Sequence, residues 1–159
     1  MNVGIVVYSL TSNTFAVAES VKQALIAGGH SVSFETIKAK NEDPNYAGSV
    51  ELTQAPQLEG MKCVVLGGPV RGFATAPIMK AYLQQLPDLK GLPVYLFVTH
   101  HFLWAFLGGN SAIGMTRKLV EAKNGRVIGS GVVNWSSKHR VDNIQVLSKD
   151  VIRAVETSV

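Results

Sequence analysis

Residues 8–19 read YSLTSNTFAVAE. Ser9, Thr11, Ser12, Asn13 and Thr14 crowd hydroxyls and a carboxamide into one short turn. The apolar run VGIVVY (3–8) comes just before, and Phe15, Ala18, Val21 and Leu25 follow at helical spacing. This pattern predicts a buried strand, a polar turn and an amphipathic helix ended by Gly28-Gly29. One such side chain is enough to cap a helix. So many of them, where free amides and the helix dipole favour an anion, point to a bound phosphate. No lysine lies within the stretch to assist.

Outward from that turn, apolar runs alternate with helical patterns. SVSFETI (31–37), CVVLGG (63–68), VYLFVT (94–99) and RVIGSGVVNW (126–135) read as further strands. A second helix is expected from Thr75 or Ala76, with Pro77 in its first turn and Met79, Tyr82, Leu83 and Leu86 buried. A third is expected from Asn110 or Ser111 to Asn124-Gly125. A last one is expected over about 140–156, with Val141, Ile144, Leu147, Val151 and Val155 on its inner side. Such alternation implies a parallel sheet covered on both faces. The continuous apolar strands belong at its centre, and the alternating 31–37 and glycine-broken 126–135 at its edges. The expectation is one α/β domain over 1–159, a three-layer sandwich on a five-stranded parallel sheet of order 2-1-3-4-5. Residues 38–60 carry turn residues and little periodicity, so a helix there is expected to be short or absent.

The 159 residues suit one domain, and 47% apolar content supplies a full core. The chain opens directly on a strand, without a basic or cleavable leader, and no apolar run is long enough to span a membrane. The expected location is the cytoplasm, with no membrane partner. Net charge is +4, but the basic residues are scattered, so no nucleic-acid surface is expected. Cys63, the single cysteine, lies inside an apolar run and is expected to be a buried small hydrophobe. His100 and His101 have no cysteine or carboxylate nearby at ligand spacing, so no metal is assigned.

In a sheet of this kind, ligands bind beyond the carboxyl ends of the strands, at the switch point. That places Ser9–Thr14, Pro69–Thr75 and His100–Gly109 together. Strand 1 is followed by neither G-x-G-x-x-G nor G-K-[ST], so the dinucleotide fingerprint and the P-loop are absent.

YSLTSNT resembles the FMN phosphate loop of the flavodoxin family, commonly Y-S-x-T-G-N-T. GGPVRGFATAPIMKAYLQQL is similar to that family's G-x-P-V stretch and the proline-initiated helix after it. FVTHHFLWAFLGGN stands where such proteins close over the far side of the flavin. The resemblance spans the chain except for 38–60. It implies FMN bound without a covalent link. The implied binding residues are Ser9, Leu10, Thr11, Ser12, Asn13 and Thr14 at the phosphate. Around the ring they are Pro69, Val70, Arg71, Gly72, Phe73, Thr99, His100, His101, Phe102 and Gly108. Trp104 and Phe106 are further candidates to wall the ring from water. Gly72 can present a peptide to flavin N5, since glycine takes φ of either sign. Arg71 is a candidate for the phosphate or the reduced flavin. Ser12 replaces the usual glycine, at a cost of about 1–2 kcal/mol if the position needs positive φ.

The resemblance implies an electron-transfer flavoprotein working with redox partner proteins or a small-molecule acceptor. A small FMN-dependent NAD(P)H:quinone-type oxidoreductase is the alternative, and a binding module of this fold without flavin is a third. No catalytic side chain is named. A homodimer through the apolar FLWAFL segment is a further expectation.

Overall fold

The computed structural model describes residues 1–101 and 105–158, and the side chains of 105–107 lie outside that description. In chain order the elements are β1 (Asn2–Val7), α1 (Asn13–Ala27), β2 (Ser31–Thr36), β3 (Lys38–Ala39), β4 (Leu52–Gln54), β5 (Cys63–Arg71), β6 (Ala74–Thr75), α2 (Pro77–Gln85), β7 (Pro93–His100), α3 (Ala105–Glu121), β8 (Arg126–Asn134) and α4 (Arg140–Thr157).

The long strands run parallel in the order β2-β1-β5-β7-β8, with β2 and β8 at the edges. The sheet has six strands, not the five expected, because β5 folds back through a tight turn and pairs antiparallel with the two-residue β6. The positions in the order are also numbered differently, because β3, β4 and β6 intervene in the chain. Residues 38–54 supply a separate antiparallel pair, β3–β4, and no helix among the described residues.

Both faces of β1 are used. Val3, Ile5 and Val7 pack with Val17, Val21 and Leu25 of α1 and Val151 and Val155 of α4. Val6 and Tyr8 point the other way, into the core formed with Met79, Tyr82 and Leu83 of α2 and Ala112 and Val120 of α3. A strand buried on both sides must be apolar at every position, which is why 3–8 reads as one run. Cys63 is fully buried, and burial pushes its thiol pKa up to about 11.

Three helix readings need correction. Phe15 is 41% exposed, because the buried stripe of α1 is Thr14, Val17, Ala18, Val21 and Leu25. Its ring instead meets Phe34 of β2 edge-on, centroids 5.1 Å apart. Val141 is 63% exposed; the inner side of α4 runs through Leu147, Ser148, Val151 and Val155. The third helix begins at Ala105, ahead of Asn110. Gly108-Gly109, which read as a loop, lies inside it. A Cβ on Gly109 would sit 2.6 Å from Val132 Cγ1, so the pair is there for close helix–sheet approach.

Candidate functional site

The carboxyl ends of β1, β5 and β7 lie side by side, so the three segments singled out by sequence meet at one edge of the sheet. The 9–14 turn is stitched to the end of β7 by two hydrogen bonds. Thr14 Oγ1 and Thr99 Oγ1 are 2.7 Å apart and buried. Asn13 Nδ2 and His101 Nε2 are hydrogen-bonded at 2.8 Å. Ser9 Oγ accepts the Phe15 amide at 3.2 Å, and the first helical bond runs from the Ala16 amide to the Ser12 carbonyl.

The amides of Thr11, Ser12, Asn13 and Thr14 find no acceptor among the described residues, and Ser12 makes no side-chain cap. No acidic residue stands in the first turn of α1. A helix start with free amides, surrounding hydroxyls and no acidic residue in its own first turn fits a terminal phosphate. Ser12 has φ 66°, the left-handed region, so the non-glycine residue does carry backbone strain here. A cation missing from 8–19 comes from elsewhere, together with an anion: Lys38 and Glu42 both line a cleft of about 150 Å³ with Ser9, Ser12 and Phe15.

Pro69 pairs with Thr99, and Val70 and Arg71 pair with Thr75 and Ala74 across the β5–β6 turn. Gly72 (φ 52°) and Phe73 (φ 65°) are the two turn residues, and positive φ at both gives a tight hairpin of type I′. Glycine adopts this freely, whereas phenylalanine does so under strain. Phe73 is 59% exposed, yet it lies against α3: a Cβ on Gly108 would be 3.1 Å from Phe73 Cδ1. A flat ring entering between the turn and α3 has to displace this side chain.

The adjacent histidines part company, as neighbours leaving a strand should. His101 is exposed, while His100 is 4% exposed and neither ring nitrogen finds a hydrogen-bond partner among the described residues. Burial, and then the charge of His101, hold the His100 pKa below its ordinary 6.5. Phe102 and Trp104, and the Phe106 side chain, fall outside the described residues.

Arg71 turns toward residues absent from the sequence-based list. Its Nη2 donates to the Pro44 carbonyl at 3.2 Å. Tyr8, Glu42, Asp43 and Tyr46 share a cavity with it. The carboxylates of 41–46, distant in sequence from the binding turns, are therefore beside one of them. The only hint was the turn-rich NEDPNYAG, which reads as a surface loop.

No family model and no curated protein matches the chain. Solved structures do. A WrbA-like flavodoxin from Agrobacterium tumefaciens superposes with TM-score 0.71 at 12% identity, covering 99% of this chain and 96% of that one. A cysteine variant of the Pseudomonas aeruginosa flavodoxin gives 0.69 at 17%, covering 98% and 99%. Oxidised Flavodoxin 2 from Bacillus cereus gives 0.66 at 15%, covering the whole of both chains. At such identities the likeness speaks for architecture, and with the sheet order and the turns at its carboxyl edge it identifies the chain as having the flavodoxin-like fold.

Proposed function

We propose that this chain binds FMN without a covalent link and serves in electron transfer between redox partners. One observation carries the reading: the α1 N-terminus leaves four consecutive amides, Thr11–Thr14, without acceptors among the described residues, beside the hydroxyls of Ser9, Thr11, Ser12 and Thr14. Phosphate oxygens are the acceptors such a nest takes. Bound FMN would supply one- and two-electron redox chemistry; the chain's part is to hold, orient and shield it. Thr14 can donate its proton to a phosphate oxygen while accepting from Thr99. His100, without a partner among the described residues, can bond to a polar edge of the ring system. Gly72 presents backbone at the same edge of the sheet.

Purified protein should be yellow, with flavin absorption bands. It should bind FMN at least tenfold more tightly than riboflavin, since each charge-assisted bond to the phosphate is worth about 1.5–3 kcal/mol. Riboflavin binding as tightly as FMN would overturn the phosphate assignment. An NAD(P)H oxidation assay with a quinone separates the carrier from the small oxidoreductase. The flavin-free module has one observation in its favour, the Phe73 ring lying against Gly108. Colourless protein that takes up no added FMN would select that reading.

A further inference from the structure

A cavity of about 260 Å³ opens on the other side of the β5–β6 turn, between the end of β1, the 41–50 segment and the start of α2. Tyr8 lines it, is 4% exposed, and its hydroxyl has no hydrogen-bond partner among the described residues. The hydroxyl itself is open to the cavity, where a ligand can reach it. Its pKa is raised by burial and by Glu42 and lowered by Arg71, which places both charges around the hydroxyl.

Charges of opposite sign face the cavity without pairing. Arg71 lies on one wall, and no carboxylate among the described residues comes within 4.0 Å of it. Its one bond, to the Pro44 carbonyl, leaves most of its donors unused. Glu42 and Asp43 lie on the same 41–46 turn whose Pro44 carbonyl accepts from Arg71. Glu42 Oε1 accepts the Ala39 amide (3.2 Å) and Asp43 Oδ1 the Asn45 amide (2.8 Å), and each keeps a second oxygen. The start of α2 strengthens the positive wall. Ala76 cannot cap and the first turn has no acidic residue, although Pro77 contributes no N–H. Between the charged walls lie Leu10, Val50 and Ile78.

We propose that this cavity binds a free α-amino acid with an apolar side chain. The carboxylate goes to Arg71 and the start of α2, and the ammonium to Glu42 and Asp43. Tyr8 bonds to the carboxylate, and the side chain covers Leu10 and Val50. A simple anion would meet two carboxylates and a simple cation the guanidinium, whereas a zwitterion satisfies both walls. The volume suits one amino acid and excludes a nucleotide. Flavin binding is not required for this site.

The test is calorimetric titration of the full chain with L-leucine, L-phenylalanine, N-acetyl-L-leucine, L-leucinamide and isovalerate. Leucine or phenylalanine should bind saturably. The three ligands lacking one charge should bind at least about tenfold more weakly, the loss of one charge-assisted bond. Arg71→Gln and the Glu42→Gln/Asp43→Asn pair should each weaken binding by about tenfold or more, and Tyr8→Phe by several-fold. Thermal melts of each variant establish that it is folded. No saturable heat with either amino acid overturns the proposal. So does equal binding of leucine and isovalerate, which would leave only a general anion site at Arg71. Folded Arg71→Gln that binds like wild type also overturns it.

Discussion

Thr14 and Thr99, 85 positions apart in sequence, hold their hydroxyls 2.7 Å from each other inside the protein. The bond joins the first turn of α1 to the end of β7. Replacing either residue by valine keeps the shape and leaves the other hydroxyl buried without a partner, at a cost of about 1–3 kcal/mol. The double Thr14→Val/Thr99→Val variant should lose clearly less than the sum, with a coupling of about 1 kcal/mol in denaturant unfolding. The pair should split in flavin titrations. Thr14→Val removes a phosphate donor and should weaken FMN by about tenfold or more, whereas Thr99→Val should act mainly on stability. FMN affinity within about a factor of two of wild type in Thr14→Val would show that this turn does not hold the phosphate.

Ser12 supplies a gain-of-stability prediction. Its φ of 66° costs an L-residue about 1–2 kcal/mol, and glycine escapes that cost. Glycine also loses about 0.4–1 kcal/mol through the freer unfolded chain. Ser12→Gly should therefore stabilise by about 0.5–1 kcal/mol, seen as a higher Tm. Its backbone amide is retained while the Ser12 hydroxyl, one of the phosphate donors, is lost, so FMN affinity should be unchanged or weaker. A lower Tm would mean that the Ser12 hydroxyl contributes more than its backbone strain costs.

The sequence was most legible where one physical demand dominates. Strands buried on both faces must be apolar throughout, so β1 and the cores of β5 and β7 stood out, and Pro77 marked the start of α2. The 9–14 turn was legible because its side chains have no use in a core. Legibility failed where neighbours in space set the pattern. Gly108-Gly109 reads as a loop until Val132 is seen pressed against it. Phe15 reads as a core residue until Phe34 is found outside. The bond between Asn13 and His101 spans 88 positions, and the cavity shared by Arg71 and 42–46 depends on how 38–54 folds back. No local period reports either.

His100 predicts a pH dependence. Its folded pKa is held below the ordinary 6.5 by burial and by His101, so the unfolded chain takes up a proton first as pH falls. The stability tied to neutral His100 is complete above pH 6.5 and is lost as pH drops through the window down to the folded pKa. His100→Leu should remove this component. The difference in unfolding free energy between wild type and variant should change across that window and be flat above it. A difference that stays constant from pH 7.5 to about 4.5 would mean that His100 titrates normally and is open to water.

The last prediction concerns the second electron added to bound FMN, and it rests on the charges near the β5–β6 turn. Fully reduced flavin is anionic when N1 is unprotonated, so nearby positive charge makes it easier to form. A unit charge about 8 Å away, at an effective dielectric near 20, contributes about 2 kcal/mol before salt screening. Arg71 pulls in that direction. Glu42 and Asp43, facing the same cavity, pull against it. Were Arg71 the only charge near the flavin, the second potential would lie above that of a protein with an acidic flavin site. With the 41–46 turn beside Arg71, the expected rise is smaller. Arg71→Glu should lower the second potential, and Glu42→Gln should raise it by a similar or smaller amount. Both shifts should shrink as salt is added, because the charges are partly solvated. Potentiometric titration of the FMN-loaded protein and the two variants measures this directly. Potentials that do not move in Arg71→Glu would place that guanidinium out of electrostatic reach of the flavin and leave Arg71 to the cavity on the far side of the turn.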